Sequence, residues 1–167
     1  MFTSISSFKE LWGNETTNTK KLLDELTDES LNQRVAEGHR TLGQISWHII
    51  TTIPEMMGRT GLSIEGPLVD VAVPKSAEEI RKGYDLVSSS LLSQIEDNWN
   101  DDTLKIEDDM YGERWSRGFS LFLMMLHEIH HRGQMTVLMR QAGLKVFGVY
   151  GPSKEEWEQF GMKPPEI

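Results

Sequence analysis

The sequence predicts an all-α fold: a four-helix bundle with long crossover-type connections and a short C-terminal helix. Three observations predict it. Four segments place apolar residues at helical spacing. Three of them open on a Ser or Thr followed three residues later by Glu or Gln, the capping-box signature. The chain has 167 residues, 38 % of them hydrophobic. At roughly 100–200 residues per domain, that is one domain, residues 1–167, with enough apolar side chains for a core.

The first helix is predicted to begin at Ser7, with Glu10 as its box partner. Phe8, Leu11, Trp12, Leu22, Leu23 and Leu26 form its stripe, interrupted by a polar, Thr-rich middle. The second begins at Thr41 with Gln44, and Leu42, Ile45, Ile49, Ile53 and Met56 make its stripe. Pro54 should kink it or end it nearby. The third begins at Ser76 with Glu79, and Ile80, Tyr84, Val87, Leu91 and Ile95 carry it to Trp99. The fourth covers residues 118–142 and stops at Gly143. It is apolar nearly all round, which predicts a central helix or one that also faces a second subunit. Met124, Met125, Met135 and Met139 are expected in that packing. Gly133 suggests a close helix approach. Ser153 and Glu156 begin a short terminal helix.

Residues 69–73 and 104–106 alternate briefly, and no sheet is expected. The connections 27–40, 58–75 and 99–117 exceed the roughly 2–8 residues of tight helical hairpins. One or more of them should therefore cross an end of the bundle. Asp108 and Asp109 are expected in a solvated loop. Tyr111 and Trp115 are candidates for the mouth of a pocket.

Composition excludes several functions. There are 17 basic and 26 acidic residues, a formal net charge of −9. Phosphate backbones and anionic membranes call for clustered Lys and Arg, so no nucleic acid or membrane partner is expected. The longest run without a charged residue covers residues 41–54, shorter than the roughly 20 of a membrane span. The first residues lack the features of a signal peptide, so a cytoplasmic location is expected. With no cysteine, thiolate ligands, disulfides and an internal thiol nucleophile are excluded.

The distinctive chemistry lies in His127-Glu128-Ile129-His130-His131-Arg132-Gly133-Gln134. On a helix, His127 and His131 lie roughly 40° apart, one turn from each other, where both can reach one cation. His130 lies roughly 60° to the other side of His127, so a third ligand must come from elsewhere. His48, flanked by Ile45 and Ile49 in the second helix, is the best candidate. Three imidazoles suit Zn, Ni, Cu or Fe and leave coordination positions open, as catalytic sites do. A lone His on an apolar face is ordinarily a hydrogen-bonded core residue. The one-turn pair and the third His shift that reading toward metal. His130 reads as a packing or interface residue and His39 as a solvated loop residue. Arg132 reads as a structural ion pair with an acid such as Glu128, or as a partner for an anionic substrate.

The segment also matches the H-E-x-x-H pattern of zinc proteases. The extended form of that motif fails, because positions 134 and 137 are Gln and Val. Glu155 and Glu156, which could be sought as a further ligand, follow a turn in an exposed cap. The expected absence of a sheet also argues against a protease.

His48 in Thr41-Leu-Gly-Gln-Ile-Ser-Trp-His-Ile, and His127 and His131 in His-x-x-x-His-Arg-Gly-Gln, resemble the DinB/YfiT-like superfamily of small four-helix proteins. The spacing of the four helices resembles it too. The resemblance implies a divalent metal, zinc or nickel, held by His48, His127 and His131, and a homodimer. It also implies one of two enzyme classes. One is a transferase that moves a low-molecular-weight thiol to an electrophilic small molecule. The other is a hydrolase using metal-activated water, with Glu128 as candidate general base or as partner of a ligand. A non-catalytic metal-binding dimer is the third reading. Because the chain has no cysteine, any reacting thiol comes from outside.

Overall fold

The structure, a computed structural model, describes residues 1–166. Four helices dominate it: α1 (Ile5–Leu23), α2 (Leu42–Gly58), α3 (Ala77–Asn98) and α4 (Arg117–Gln141). Short 3-10 turns lie at Ser30–Asn32, Thr103–Lys105 and Lys154–Phe160. α1 packs on α3 and α4, and α2 packs on the same two helices. Chain-consecutive α1 and α2 therefore occupy one diagonal of the bundle, and α3 and α4 the other. The connections 24–41 and 99–116 each link diagonal corners, the crossover that their length predicts. Among the described residues, no helix is long and apolar enough to cross a membrane.

The capping chemistry sets the helix starts. At α2 both halves of the predicted box form: Gln44 N donates to Thr41 Oγ1 and Thr41 N donates to Gln44 Oε1. α1 starts earlier than the Ser7 signature suggests. Ser4, in extended backbone, accepts from Ser7 N, and Asp101 Oδ1 takes Ile5 N. At α3, Ser76 accepts from Glu79 N, and the reciprocal half of the box is not made. α4 stops as predicted, with Gly143 at φ 75°. Pro54 lies inside α2, which ends nearby at Gly58. Its missing N–H removes one bond to Ile50, while Ile53, Met56 and Met57 stay buried and hold the helix together.

The core draws Phe8, Trp12 and Leu22 from α1, Ile50 and Ile53 from α2, and Ile80, Tyr84 and Val87 from α3. From α4 come Leu121 and the four expected methionines. Gly118 marks a close approach, since a Cβ there would meet Phe2 O. Gly133 does not: the space above it is open.

The expectation of no sheet needs correction. Strands β1 (Glu107–Met110) and β2 (Glu113–Ser116) form an antiparallel hairpin. Tyr111 and Gly112 turn it, with φ of 61° and 87°, the left-handed pair that matches hairpin twist. Gly112 N donates to Asp109 Oδ1, and Asp108 pairs with Arg117 at 2.9 Å. These aspartates are thus part of the hairpin and its attachment to α4. The segments 69–73 and 104–106 are not strands.

Candidate metal centre

α2 and α4 pack against each other, and this seam carries the histidines. His48 comes from the middle of α2, and His127 and His131 from successive turns of α4. Their ring centroids lie 4.9 Å (His48–His127), 4.8 Å (His48–His131) and 4.4 Å (His127–His131) apart. One ring nitrogen from each lies within 4.8 Å of the others, a group that could hold a metal ion.

The donor set fits such an ion. Burial, helped by the charge of Arg40 and the neighbouring rings, holds His48 down to about 4. His127 is also held to about 4, by burial first and then by His131, His130 and Arg40. Burial lowers His131 too, opposed by its bond to Gln134. At neutral pH all three rings are uncharged, the form that binds metal. Gln134 Oε1 lies 2.7 Å from His131 Nδ1. A carbonyl oxygen only accepts, so it takes the Nδ1 proton and leaves a lone pair on Nε2. His131 Nε2 and His127 Nε2 are 3.1 Å apart, near the roughly 3.3 Å that two 2.0–2.1 Å bonds to one tetrahedral zinc would impose. His48 Nδ1 faces the Thr52 hydroxyl at 3.5 Å.

The other flank of α4 is built differently. Glu128 is buried, and its Oε1 accepts from Thr19 and Tyr84, both at 2.6 Å. It is not a member of the histidine group. Arg132 does not pair with Glu128 or stand open to an anion. It is buried on Glu15 Oε2 at 2.5 Å and donates to Thr19 Oγ1 at 3.1 Å. Tyr150 OH donates to the same Glu15 oxygen at 2.8 Å. The chain Glu15–Arg132–Thr19–Glu128–Tyr84 thus stitches α1, α3 and α4 together.

Remaining candidates fall into place around this frame. His130 is exposed and takes a hydrogen bond from Gln134 Nε2 at 3.0 Å. His39 is an exposed loop residue, as expected. Tyr111 donates to Glu55 Oε2 at 2.5 Å, beneath the Arg59 guanidinium. Trp115 packs between Tyr111 and Phe119. The sequence reading missed Gln134 and Glu15. Gln134 at the third position after His131 was the available signal, since that spacing puts both on one helix face.

A helical bundle with three imidazoles facing one another across an α2–α4 seam defines a class of candidate metal-site bundles. Comparison with known proteins narrows the class. The DinB family model matches residues 1–166, and the chain belongs to the DinB family. It is 41 % identical over 167 residues to the uncharacterized protein YrdA of Bacillus subtilis (strain 168), with both chains covered in full. It is 46 % identical to a DinB-like protein from Bacillus cereus, whose crystal structure superposes with a TM-score of 0.88. That match covers 90 % of this chain and all of the other. The DinB-like protein YjoA of Bacillus subtilis, 18 % identical, shares the fold at a TM-score of 0.68 over 88 % of this chain and 99 % of its own.

Proposed function

We propose that this chain is a metal-dependent enzyme in which His48, His127 and His131 hold one divalent ion, zinc or nickel. The proposed reaction transfers a low-molecular-weight thiol to an electrophilic small molecule. The observation that carries this reading is the convergence of three neutral imidazoles, a group joined by no Asp, Glu or further His among the described residues. That leaves coordination positions for a substrate. Such an ion lowers the pKa of a coordinated thiol toward neutrality.

The protein's own part is positioning. Gln134 fixes the tautomer of His131, and burial keeps all three rings unprotonated. With no cysteine in the chain, the sulfur comes from the thiol substrate. Its new bond to the electrophilic carbon forms as that carbon's bond to its leaving group breaks, and the thiol proton passes to solvent. Glu128 faces Thr19 and Tyr84 and is not a member of the histidine group, which disfavours it as a base at the metal and weakens the hydrolase alternative. The reading places the enzyme in the cytoplasm, where small thiols are kept reduced. It also includes a homodimer, supported by the exposure of Leu126 on α4. Light scattering on the purified protein checks the dimer.

Elemental analysis of wild type beside His48→Ala and His127→Ala tests the site. Wild type should carry zinc or nickel and both variants should lose it. Full metal content in both variants would refute the ligand assignment. With metal bound, the wild type should consume a small thiol such as cysteamine in the presence of 1-chloro-2,4-dinitrobenzene. No metal-dependent consumption, together with turnover of esters without thiol, would replace transfer by hydrolysis.

A further inference from the structure

A cavity of about 370 Å³ adjoins the histidine group, shares His131 with it and is also lined by Gln134. Val35, Ile45, Val137 and Leu138 make its sides apolar. His39 and Arg40, from the segment leading into α2, complete the lining. The ion pairs made by arginines among the described residues involve Arg59, Arg114, Arg117, Arg132 and Arg140. Arg40 is in none of them. Its charge nevertheless bears on all three histidines, lowering the proton affinity of each.

Arg34 and Arg81 are likewise in none of these ion pairs, and of the three only Arg40 lines this cavity. Exposed on an apolar cavity, it offers a planar two-donor fork that matches a carboxylate. No lysine or second arginine lines the cavity, so one negative charge is balanced and a phosphate dianion is not. The four aliphatic side chains take an apolar body and give no further hydrogen-bonding demand.

We propose that this cavity binds a small molecule carrying one carboxylate on an apolar body. The carboxylate lies on Arg40, the body lies between Ile45, Val137 and Leu138, and the opposite end lies at His131. The cavity and Arg40 stand by themselves, whereas placing the reacting end at His131 rests on the metal-centre reading above. The acceptor in the proposed transfer is then an electrophile bearing a carboxylate.

The probe is 4-phenylbutyrate, titrated calorimetrically into zinc-loaded and zinc-free wild type, with 4-phenylbutyramide and 4-phenylbutyl phosphate as controls. The carboxylate should bind both forms of the protein. Arg40→Gln, and the amide on wild type, should each bind at least about tenfold more weakly, as loss of one charge-assisted contact implies. Arg40→Lys should recover part of the loss. Val137→Glu, at an exposed position, should weaken binding by adding a negative charge to the wall. Zinc content of Arg40→Gln should equal that of wild type. Equal binding by Arg40→Gln, equal binding of the amide, tighter binding of the phosphate, or no binding to wild type overturns the proposal. Binding that needs zinc and ignores Arg40 also overturns it, and leaves the metal reading intact. Arg40-dependent binding to a protein that keeps its metal in both histidine variants upholds the cavity and removes the metal reading.

Discussion

Two flanks of α4 use adjacent residues for opposite ends. His127 and His131 face α2 across a seam next to open space, and their Nε2 atoms meet only each other. Glu128 and Arg132, one residue on in each case, face α1 and α3 and are 2 % exposed. There each group is matched by a partner chosen for charge: Glu15 for Arg132, and the Thr19 and Tyr84 hydroxyls for Glu128. One face keeps imidazole lone pairs available, whereas the other engages Glu128 Oε1 twice and leaves its Oε2 buried without a partner. A helix that presents imidazoles at fixed separation needs an anchored back, because the back sets its rotation and height.

The comparison breaks most severely at the anchored face. Arg132→Met leaves Glu15 buried without its cation and should cost about 3–5 kcal/mol. Urea unfolding measures it, and the folded fraction should keep its metal. A loss below about 1 kcal/mol would mean that the pair is not a structural anchor. Gln134→Leu tests the other face. Removing the group that orients His131 should weaken metal binding about 10–100-fold. Gln134 is exposed, so the metal-free protein should unfold within about 0.5 kcal/mol of wild type. Competition with a chelator gives the first quantity and denaturation the second.

Smaller effects sharpen the contrast. Tyr84→Phe removes one of two donors to Glu128 and should cost about 1 kcal/mol with no change in metal affinity. Acid should act at the histidine face. His48 and His127 are held to about 4 in the folded chain, against 6.5 for an ordinary histidine. The unfolded chain therefore takes up protons first as pH falls below 6.5. Stability of the metal-free protein is full above that value and declines toward pH 4. Other groups titrate there too, so the informative quantity is the difference in slope between wild type and His48→Gln. Identical slopes would show that His48 does not contribute.

The sequence carried most of the helices and all three histidines of the seam, because both follow from local rules. Apolar spacing and Thr41 with Gln44 define α2, and four residues between His127 and His131 define a shared face. What it hid depends on distance along the chain. The polar middle of α1 reads as an interruption of its stripe, yet Glu15 and Thr19 are buried there against Arg132, more than a hundred residues later. Only the fold reveals that those polar positions are interior. The hairpin escaped for another reason. Its strands are mostly charged and half in solvent, so they lack the apolar alternation that marks a strand. Arg40 reads as one more surface arginine until its neighbours on the cavity wall are known.

The diagonal placement of α1 and α2 has a bearing on biosynthesis. His48 emerges early during translation, but the helix that completes the trio is the last long one made, after α3. A product truncated before residue 131 lacks the three-imidazole constellation altogether, whatever it does with its first three helices. Loading of an ion at this seam would therefore be an event of the nearly finished chain, and metal content would report completeness as well as occupancy.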